Sequence, residues 1–232
     1  PDSYQVNNDE RVISDKNYSR ADFNLPDEAF VFCCFNQPYK ITPNEFPIWM
    51  NILKSVPNSV LWLLQYNDSS KLKLQKYAEA SNVDPERLIF TKRLPNPDHL
   101  ARHKLADLFL DTFNVNAHTT TSDSLWGELP VLTLAGKSFA ARVSASLLNA
   151  VGLEELITSS KEDYEKLAIE IGNSKDYANQ LKEKLVKNKF SSSLFDTKQF
   201  TLNLEEVYLK LYENYFEGIA ISDIHMKKAL NV

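Results

Sequence analysis

Glycine and long apolar runs are scarce in this sequence, and each shortage counts against a class of protein. Five of the 232 residues are glycine, and neither a G-x-G-x-x-G nor a G-x-x-x-x-G-K-[ST] pattern occurs. Dehydrogenases and P-loop NTPases need such glycines, because the phosphates of their nucleotides lie directly against the backbone. No stretch approaches the ~20 apolar residues of a membrane-spanning helix. We therefore expect none of these classes, and no association with a membrane.

Positive charge and cysteine are also in short supply. The formal net charge is −5, so we do not expect a nucleic-acid partner, which would require a basic surface. Cys33 and Cys34 are adjacent in an apolar run, and adjacent strand residues point to opposite faces. We interpret them as core thiols in a reducing, cytoplasmic compartment. His99 and His103 are four residues apart but have no third ligand, so no metal site is predicted.

Short apolar runs alternate with amphipathic stretches along most of the chain. Runs that are apolar throughout, such as 60–64, are typical of strands buried on both faces of a parallel sheet. The repetition predicts an α/β fold, a Rossmann-like doubly wound parallel sheet, followed by two long C-terminal helices. Strands are predicted at 29–35, 60–65, 88–91, 108–111, 131–134 and 155–158, and helices at 46–56, 71–82, 97–106, 119–129, 138–151, 161–189 and 197–217.

Composition divides the chain into three parts. Residues 1–28 are polar and aperiodic, which predicts an extended lead-in from an upstream domain that is missing here. Residues 29–190 carry the Rossmann-like domain. Residues 191–232 contain a helix with more aromatic residues than one small sheet needs, and it would pack on a missing N-terminal half; packing on the domain's own core is an equal alternative. The chain starts at Pro1 rather than Met, as expected for an excised or processed piece.

Three segments follow predicted strands, where ligands of open α/β sheets bind. The first, 35–41, offers the Gln37 amide and the Lys40 ammonium group, although a solvated loop would look the same. The second, 94–103, places His99 and Arg102 three residues apart on one helix face. There His99 could stack on a base while Arg102 contacts a polar edge.

The third segment, 116–123, opens a helix with three threonines and a serine. Free N–H groups and the helix dipole make such a turn an anion site, and Asp123 could accept hydrogen bonds from sugar hydroxyls. An ordinary capped helix is the competing interpretation, since Ser and Thr are favoured caps.

Taken in order, these segments resemble the C-terminal catalytic half of O-GlcNAc transferase and its bacterial SPINDLY-like relatives, which are inverting glycosyltransferases of the GT-B fold. The resemblance runs from about residue 29 to residue 215, and the ordered combination of motifs is more specific than any one of them. The motifs are FNQPYKI at 35–41, LADLFLDT at 105–112, NAHTT at 116–120, DSLW at 123–126, ARVSAS at 141–146 and FDTKQF at 195–200.

The resemblance implies a role for each matching residue. Gln37 and Lys40 would contact the diphosphate, with Lys40 as the catalytic group that stabilises the leaving group. His99 would stack on the base with Arg102 beside it. His118, Thr119 and Thr120 would hold phosphate oxygens of the nucleotide sugar, and Asp123 would bind its ribose hydroxyls. The sequence departs from the animal enzyme at Asn96, where that enzyme has lysine.

The implied function is transfer of a sugar, with GlcNAc from UDP-GlcNAc expected first, to Ser or Thr hydroxyls of an acceptor protein. A UDP-sugar is then the donor substrate, and no cofactor or metal is expected. Tetratricopeptide repeats and a first GT-B domain would lie upstream, so the fragment alone should be inactive. The alternatives are a GDP-fucose-dependent protein O-fucosyltransferase and a non-catalytic nucleotide-binding or scaffold module. An epimerase of the same shape fits less well, because no acid–base carboxylates are evident.

Overall fold

A six-stranded parallel sheet forms the centre of the molecule. The structure is a computed structural model that describes residues 3–225. The strand order is β3-β2-β1-β4-β5-β6, and every pair is parallel. This confirms the predicted Rossmann-like doubly wound sheet. The strands are β1 Phe30–Cys34, β2 Ser59–Leu64, β3 Leu88–Thr91, β4 Leu108–Leu110, β5 Val131–Leu134 and β6 Ile157–Thr158.

Central strands are covered on both faces, which explains their unbroken apolar runs. All residues of β1, β2 and β4 are buried. Helix α1 packs against α6 on one side of the sheet, while α4 and α5 pack together and against β5. The helices are α1 Phe46–Ser55, α2 Asp68–Ala80, α3 Asn96–Arg102, α4 His118–Trp126, α5 Val143–Val151, α6 Lys161–Gly172, α7 Lys175–Asn188 and α8 Thr197–Phe216.

The strand order reverses between β1 and β4. Chain order runs outward from β1 to β2 and β3, and then returns to place β4 on the other side of β1. The helices that follow β1 and β4 therefore lie on opposite faces of the sheet, and the loops that lead into them border a crevice at the end of β1. In open α/β sheets this switch point is where ligands bind.

The single helix predicted over 161–189 is wrong, because the structure has two helices there, α6 and α7. Gly172 ends α6 close to the sheet: a Cβ on it would lie 2.7 Å from Cζ of Phe32. The Ser174 side chain then accepts a hydrogen bond from the N–H of Tyr177 and starts α7. Similarly, the helix predicted over 138–151 is a 3-10 turn, Phe139–Ala141, followed by α5.

The segments at the two ends of the chain behave differently. Apart from a 3-10 turn at Ala21–Phe23, residues 3–28 have no regular secondary structure, yet they lie on the domain: Phe23 packs on Trp62, ring centroids 5.1 Å apart. Helix α8, in contrast, has no buried residue. The predicted boundaries at 28 and 190, and a missing partner for each end, stay predictions. Parts of both end segments, 1–2 and 226–232, lie outside the described residues.

Candidate functional site

The loops after β1 and β4 meet at the switch point. After β1 the chain forms a 3-10 turn, Pro38–Lys40, which turns the Lys40 side chain toward the other loop. Its Nζ donates a hydrogen bond to the Asn116 carbonyl at 2.8 Å, two residues before the start of α4. Gln37, at the start of the same turn, is half-buried. The lysine and the threonine-rich turn, 75 or more residues apart in the chain, thus border one crevice.

Asp111 shapes the turn that leads into α4. This carboxylate is fully buried at the end of β4. Oδ1 accepts from the backbone N–H groups of Thr112 at 2.8 Å and Ala117 at 2.7 Å, and Oδ2 accepts from the Thr133 hydroxyl at 2.7 Å. Burial raises the pKa of Asp111, while these hydrogen bonds oppose that rise. The buried negative charge also favours the ammonium form of Lys40, whose pKa is lowered chiefly by its own burial.

Helix α4 begins without a side-chain cap. Its helical hydrogen bonds start at Thr121, whose N–H donates to the Ala117 carbonyl at 3.0 Å. The N–H groups of the three preceding residues therefore have no partner within the helix. The N-cap, Ala117, has no side chain that could accept from them. Helices α2, α6, α7 and α8 are all capped by a side-chain oxygen. Helices α1, α3 and α5 also begin without a side-chain cap, so an anion site at the start of α4 stays a prediction.

His118 stands at the mouth of this turn. Its Nε2 lies 3.2 Å from the Ala140 carbonyl, which can only accept, so that nitrogen carries a proton. The ring lies edge-on to Tyr4 and Phe139, with centroids 6.0 and 6.4 Å away. Thr119 is exposed and Thr120 is half-buried at the same helix start. These three residues follow Asn116, whose carbonyl accepts the hydrogen bond of Lys40, with one residue between.

His99 reaches the crevice from α3, which follows β3. Its ring packs against Phe35, the residue directly after β1, with centroids 5.4 Å apart. Burial lowers the pKa of His99 to about 2, with smaller contributions from His103 and Arg102. All three predicted segments therefore surround the end of β1.

Arg102 lies beneath His99 rather than in the crevice. It is 1% exposed, and its guanidinium lies over the Phe35 ring, 4.5 Å from the centroid. Nε donates to Nδ1 of His99 at 2.9 Å, and Nη1 donates to the Lys92 carbonyl at 2.9 Å. The side chain is thus almost fully buried in this structure, and the expectation that Arg102 contacts a polar edge of the base stays a prediction.

Asp123 is paired with a residue that sequence analysis did not identify. Arg11, from the lead-in, donates from Nη1 to Oδ1 of Asp123 at 2.5 Å, and its guanidinium lies 5.4 Å from the Trp126 ring centroid. Burial raises the pKa of Asp123, and the Arg11 charge counteracts that rise. Arg11 sits in an aperiodic segment, 112 residues before Asp123, so no local pattern marks it.

Two further observations concern residues 3–225. Within that range, no group of three or more His, Cys, Asp or Glu side chains is arranged to hold a metal ion. None of the helices in the same range is both long enough and apolar enough to span a membrane.

The doubly wound sheet and the crevice between the β1 and β4 loops define a Rossmann-like domain of the GT-B type. The model of glycosyl transferase family 41 matches residues 5–204, which is most of the chain. The chain therefore belongs to glycosyl transferase family 41.

Two relatives in this family are identical to this chain at more than a third of the matched residues. The UDP-N-acetylglucosamine–peptide N-acetylglucosaminyltransferase of Caenorhabditis elegans is 37% identical over 206 residues, 89% of this chain and 18% of the relative. A probable enzyme of the same name from Arabidopsis thaliana is 38% identical over 216 residues, 93% of this chain and 22% of the relative. The chain thus spans about a fifth of the length of these curated relatives.

A solved structure agrees with the fold. The K341M mutant of the Thermobaculum terrenum O-GlcNAc transferase superposes with a TM-score of 0.79 and 31% identity. The match covers 84% of this chain and 38% of that chain. The likeness therefore extends over most of this chain but over less than half of that chain.

Proposed function

We propose that this chain is the donor-binding part of an inverting glycosyltransferase that moves GlcNAc from UDP-GlcNAc to Ser or Thr hydroxyls of proteins. The observation that carries the proposal is the 2.8 Å contact between Lys40 and the turn that opens the uncapped helix α4. It brings a cation and free amide groups to one place, which suits a diphosphate. The names of the relatives, both UDP-N-acetylglucosamine–peptide transferases, support this donor and favour it over GDP-fucose.

Negative charge accumulates on the departing diphosphate during glycosyl transfer. Lys40 and the amides at the start of α4 are already fixed by Asp111 and Asn116, so little reorganisation is needed when that charge develops. Gln37, His118, Thr119 and Thr120 would add hydrogen bonds to phosphate oxygens. Because the lysine and the helix end can supply the positive potential, we propose that transfer needs no divalent metal, and that the UDP-sugar is a substrate and not a cofactor.

The nucleoside would lie between α3 and α4. His99 would contact the base, and Asp123 would contact the ribose. One carboxylate oxygen of Asp123 is held by Arg11, so the ribose would use the other oxygen or replace the arginine. A cytoplasmic location belongs to the same proposal and is supported by two buried free thiols, Cys33 and Cys34.

The remaining partners belong to a longer protein. Because the chain spans about a fifth of its relatives, we propose an upstream GT-B domain and tetratricopeptide repeats before the lead-in, residues 1–28. Helix α8 and the rest of residues 191–232 would pack on that upstream domain, which would also bring the acceptor protein. Residues 29–190 would then be the nucleotide-sugar-binding unit, able to bind the donor but unable to transfer it alone.

Calorimetric titration of UDP against three proteins tests the proposal. Wild type should bind UDP saturably, and Lys40→Ala should weaken binding about ten-fold or more, because a charge-assisted contact is lost. Lys76→Ala, at an exposed position on α2, should bind like wild type. If folded wild-type protein ignores UDP, or if both variants bind equally well, the donor-binding assignment is wrong.

A scaffold role is the second candidate, in which the exposed apolar surface of α8 would bind a partner while the crevice binds no nucleotide. Leu209, Tyr212 and Phe216 are each more than 60% exposed on that helix. A folded protein that binds neither UDP nor GDP, yet associates with the upstream domain of its parent, would support this role. Preference for GDP over UDP in the same titration would instead support fucose as the sugar.

A further inference from the structure

Three side chains on α3 and the turn after it form one hydrogen-bonded stack beside the crevice. Arg102 donates from Nε to Nδ1 of His99 at 2.9 Å, and Nδ1 of His103 lies 2.7 Å from the His99 carbonyl. The two imidazole rings are 4.6 Å apart between centroids and inclined by 67°. His103 is fully buried and Arg102 nearly so, whereas His99 is half-buried at the crevice.

The partners of His99 determine which ring nitrogen carries its proton. A guanidinium can only donate, so the Nδ1 that receives the Arg102 hydrogen bond must present a lone pair. Burial, together with the neighbouring His103 and Arg102, lowers the pKa of His99 to about 2, so the imidazole is neutral at physiological pH. A neutral ring has one proton, and it therefore resides on Nε2.

His103 does not compete for that arrangement. A carbonyl oxygen only accepts, so Nδ1 of His103 carries a proton and donates it to the main chain of His99. This bond holds the backbone from which the His99 ring projects. Within residues 3–225, Nε2 of His99 has no protein partner, and it is not among the buried side-chain atoms that lack one, so this nitrogen is not fully buried.

We propose that Arg102 is a positioning residue that holds His99 as its Nε2–H tautomer, so that His99 donates a hydrogen bond to an oxygen of the bound nucleotide. The inference rests on the proposed donor site. The acceptor is a carbonyl of the base if the ring edge meets the nucleoside. It is a phosphate oxygen if the ring lies against the base with its edge toward the diphosphate. In either case Arg102 acts through His99 without touching the ligand.

The tautomer is measured first, in protein without nucleotide. Long-range 1H–15N correlation spectra of 15N-histidine-labelled protein distinguish the two tautomers, and His99→Gln identifies the His99 signals by their loss. Wild type should show a protonated Nε2 and a bare Nδ1. Arg102→Met should abolish this fixed pattern, and Arg102→Lys should restore it in part, since an ammonium group also donates. A protonated Nδ1 in wild type, or an unchanged pattern in a folded Arg102→Met, would overturn the proposal.

Binding is measured second, with two variants that do not depend on the buried arginine. The amide nitrogen of glutamine can occupy the place of Nε2, whereas that of asparagine reaches only the place of Nδ1. His99→Gln should bind UDP within a few-fold of wild type, and His99→Asn should bind about ten-fold more weakly. If both variants lose the same affinity for UDP, if neither loses any, or if His99→Gln binds more weakly than His99→Asn, a hydrogen-bond donor at Nε2 is refuted.

Uridine and UDP separate the two acceptors. A deficit of His99→Asn already seen with uridine places the acceptor on the nucleoside, whereas a deficit with UDP alone places it on the diphosphate. If wild type binds neither ligand, the proposed function fails, but the spectra of the nucleotide-free protein still report whether Arg102 sets the tautomer.

Discussion

The crevice at the end of β1 and the surface of α8 present opposite kinds of groups, polar in the first and apolar in the second. At the crevice, polar groups are held in place by buried bonds but lack a final partner: Lys40 is fixed on Asn116, and the first amides of α4 are uncapped. On α8, large apolar side chains such as Tyr215 and Phe216 are 78% and 69% exposed. A cation beside free amide groups suits a small anionic ligand, whereas an exposed apolar surface suits contact with another protein.

The two regions also differ in how much of the domain depends on them. Crevice residues are bonded to several strands at once, since Asp111 connects β4, β5 and the turn before α4. Helix α8 contributes no buried residue to the core. Substitutions of the buried crevice residues should therefore affect stability strongly, and substitutions on α8 should affect it weakly.

The largest effect is expected from Asp111→Ala. It would leave the N–H groups of Thr112 and Ala117 and the hydroxyl of Thr133 without their acceptor in a buried place. Each such loss costs about 1–3 kcal/mol, so the free energy of unfolding should fall by roughly 3–9 kcal/mol. Urea denaturation measures it, with Asp176→Ala, at an exposed position on α7, as the control that should change little. Similar stability of both variants would show that Asp111 does not organise the crevice.

The next effect concerns pH. Burial lowers the pKa of His99 to about 2 and that of His103 to about 3, whereas both return to about 6.5 on unfolding. Unfolding between these values takes up protons, so stability is full above pH 6.5 and is lost as the pH falls. Each histidine contributes a slope of at most about 1.4 kcal/mol per pH unit.

The variant His99→Gln isolates one of these contributions. It removes the proton uptake of residue 99 and leaves the carboxylates and the charges of Arg102 and Arg11 unchanged, so the difference from wild type reports this histidine. Chemical denaturation at pH 7, 6 and 5 should show a shallower loss of stability for the variant. Parallel curves would mean that His99 is not buried as a neutral ring.

A smaller pair of effects compares two helix starts. Ser174→Ala removes the cap of α7 and should cost about 1 kcal/mol of stability without altering UDP affinity. Thr119→Ala, at an exposed position that caps nothing, should leave stability unchanged but weaken UDP binding. Thermal unfolding of both variants measures the effect on stability, and UDP titration measures the effect on affinity. If Thr119→Ala is the less stable of the two and binds UDP normally, the start of α4 is structural.

The sequence predicts the crevice better than it predicts what supports the crevice. Parallel strands end at one edge, so Lys40 and the threonine-rich turn could be expected to meet from the strand assignments alone. Arg11 and Arg102 could not be placed in this way. Arginine is usually exposed, and the burial of Arg102 on Phe35 depends on packing between segments far apart in the chain.

Helix boundaries show the same limit. The apolar period over 161–189 continues past Gly172, and a single glycine is tolerated within many helices. The break lies where Gly172 packs closely on Phe32 of the sheet and where Ser174 caps α7 two residues later, and the first of these is a tertiary contact. Local patterns therefore predicted the elements, and the tertiary structure decided where this one breaks.

The smallest effect on the isolated chain is expected on α8, and it sharpens the contrast with Asp111. Leu209→Ser and Tyr212→Ser replace side chains that are each 66% exposed. The free energy of unfolding should change by no more than about 0.5 kcal/mol, because little buried surface is lost.

In the longer protein, however, the same pair of substitutions should loosen the proposed contact with the upstream domain and reduce transfer. Proteolysis of the longer protein, with Lys198→Ala as an exposed control on α8, should then release the C-terminal part sooner. Destabilisation of the isolated chain by several kcal/mol would instead show that α8 belongs to this domain's own core, and the contrast between the two regions would disappear.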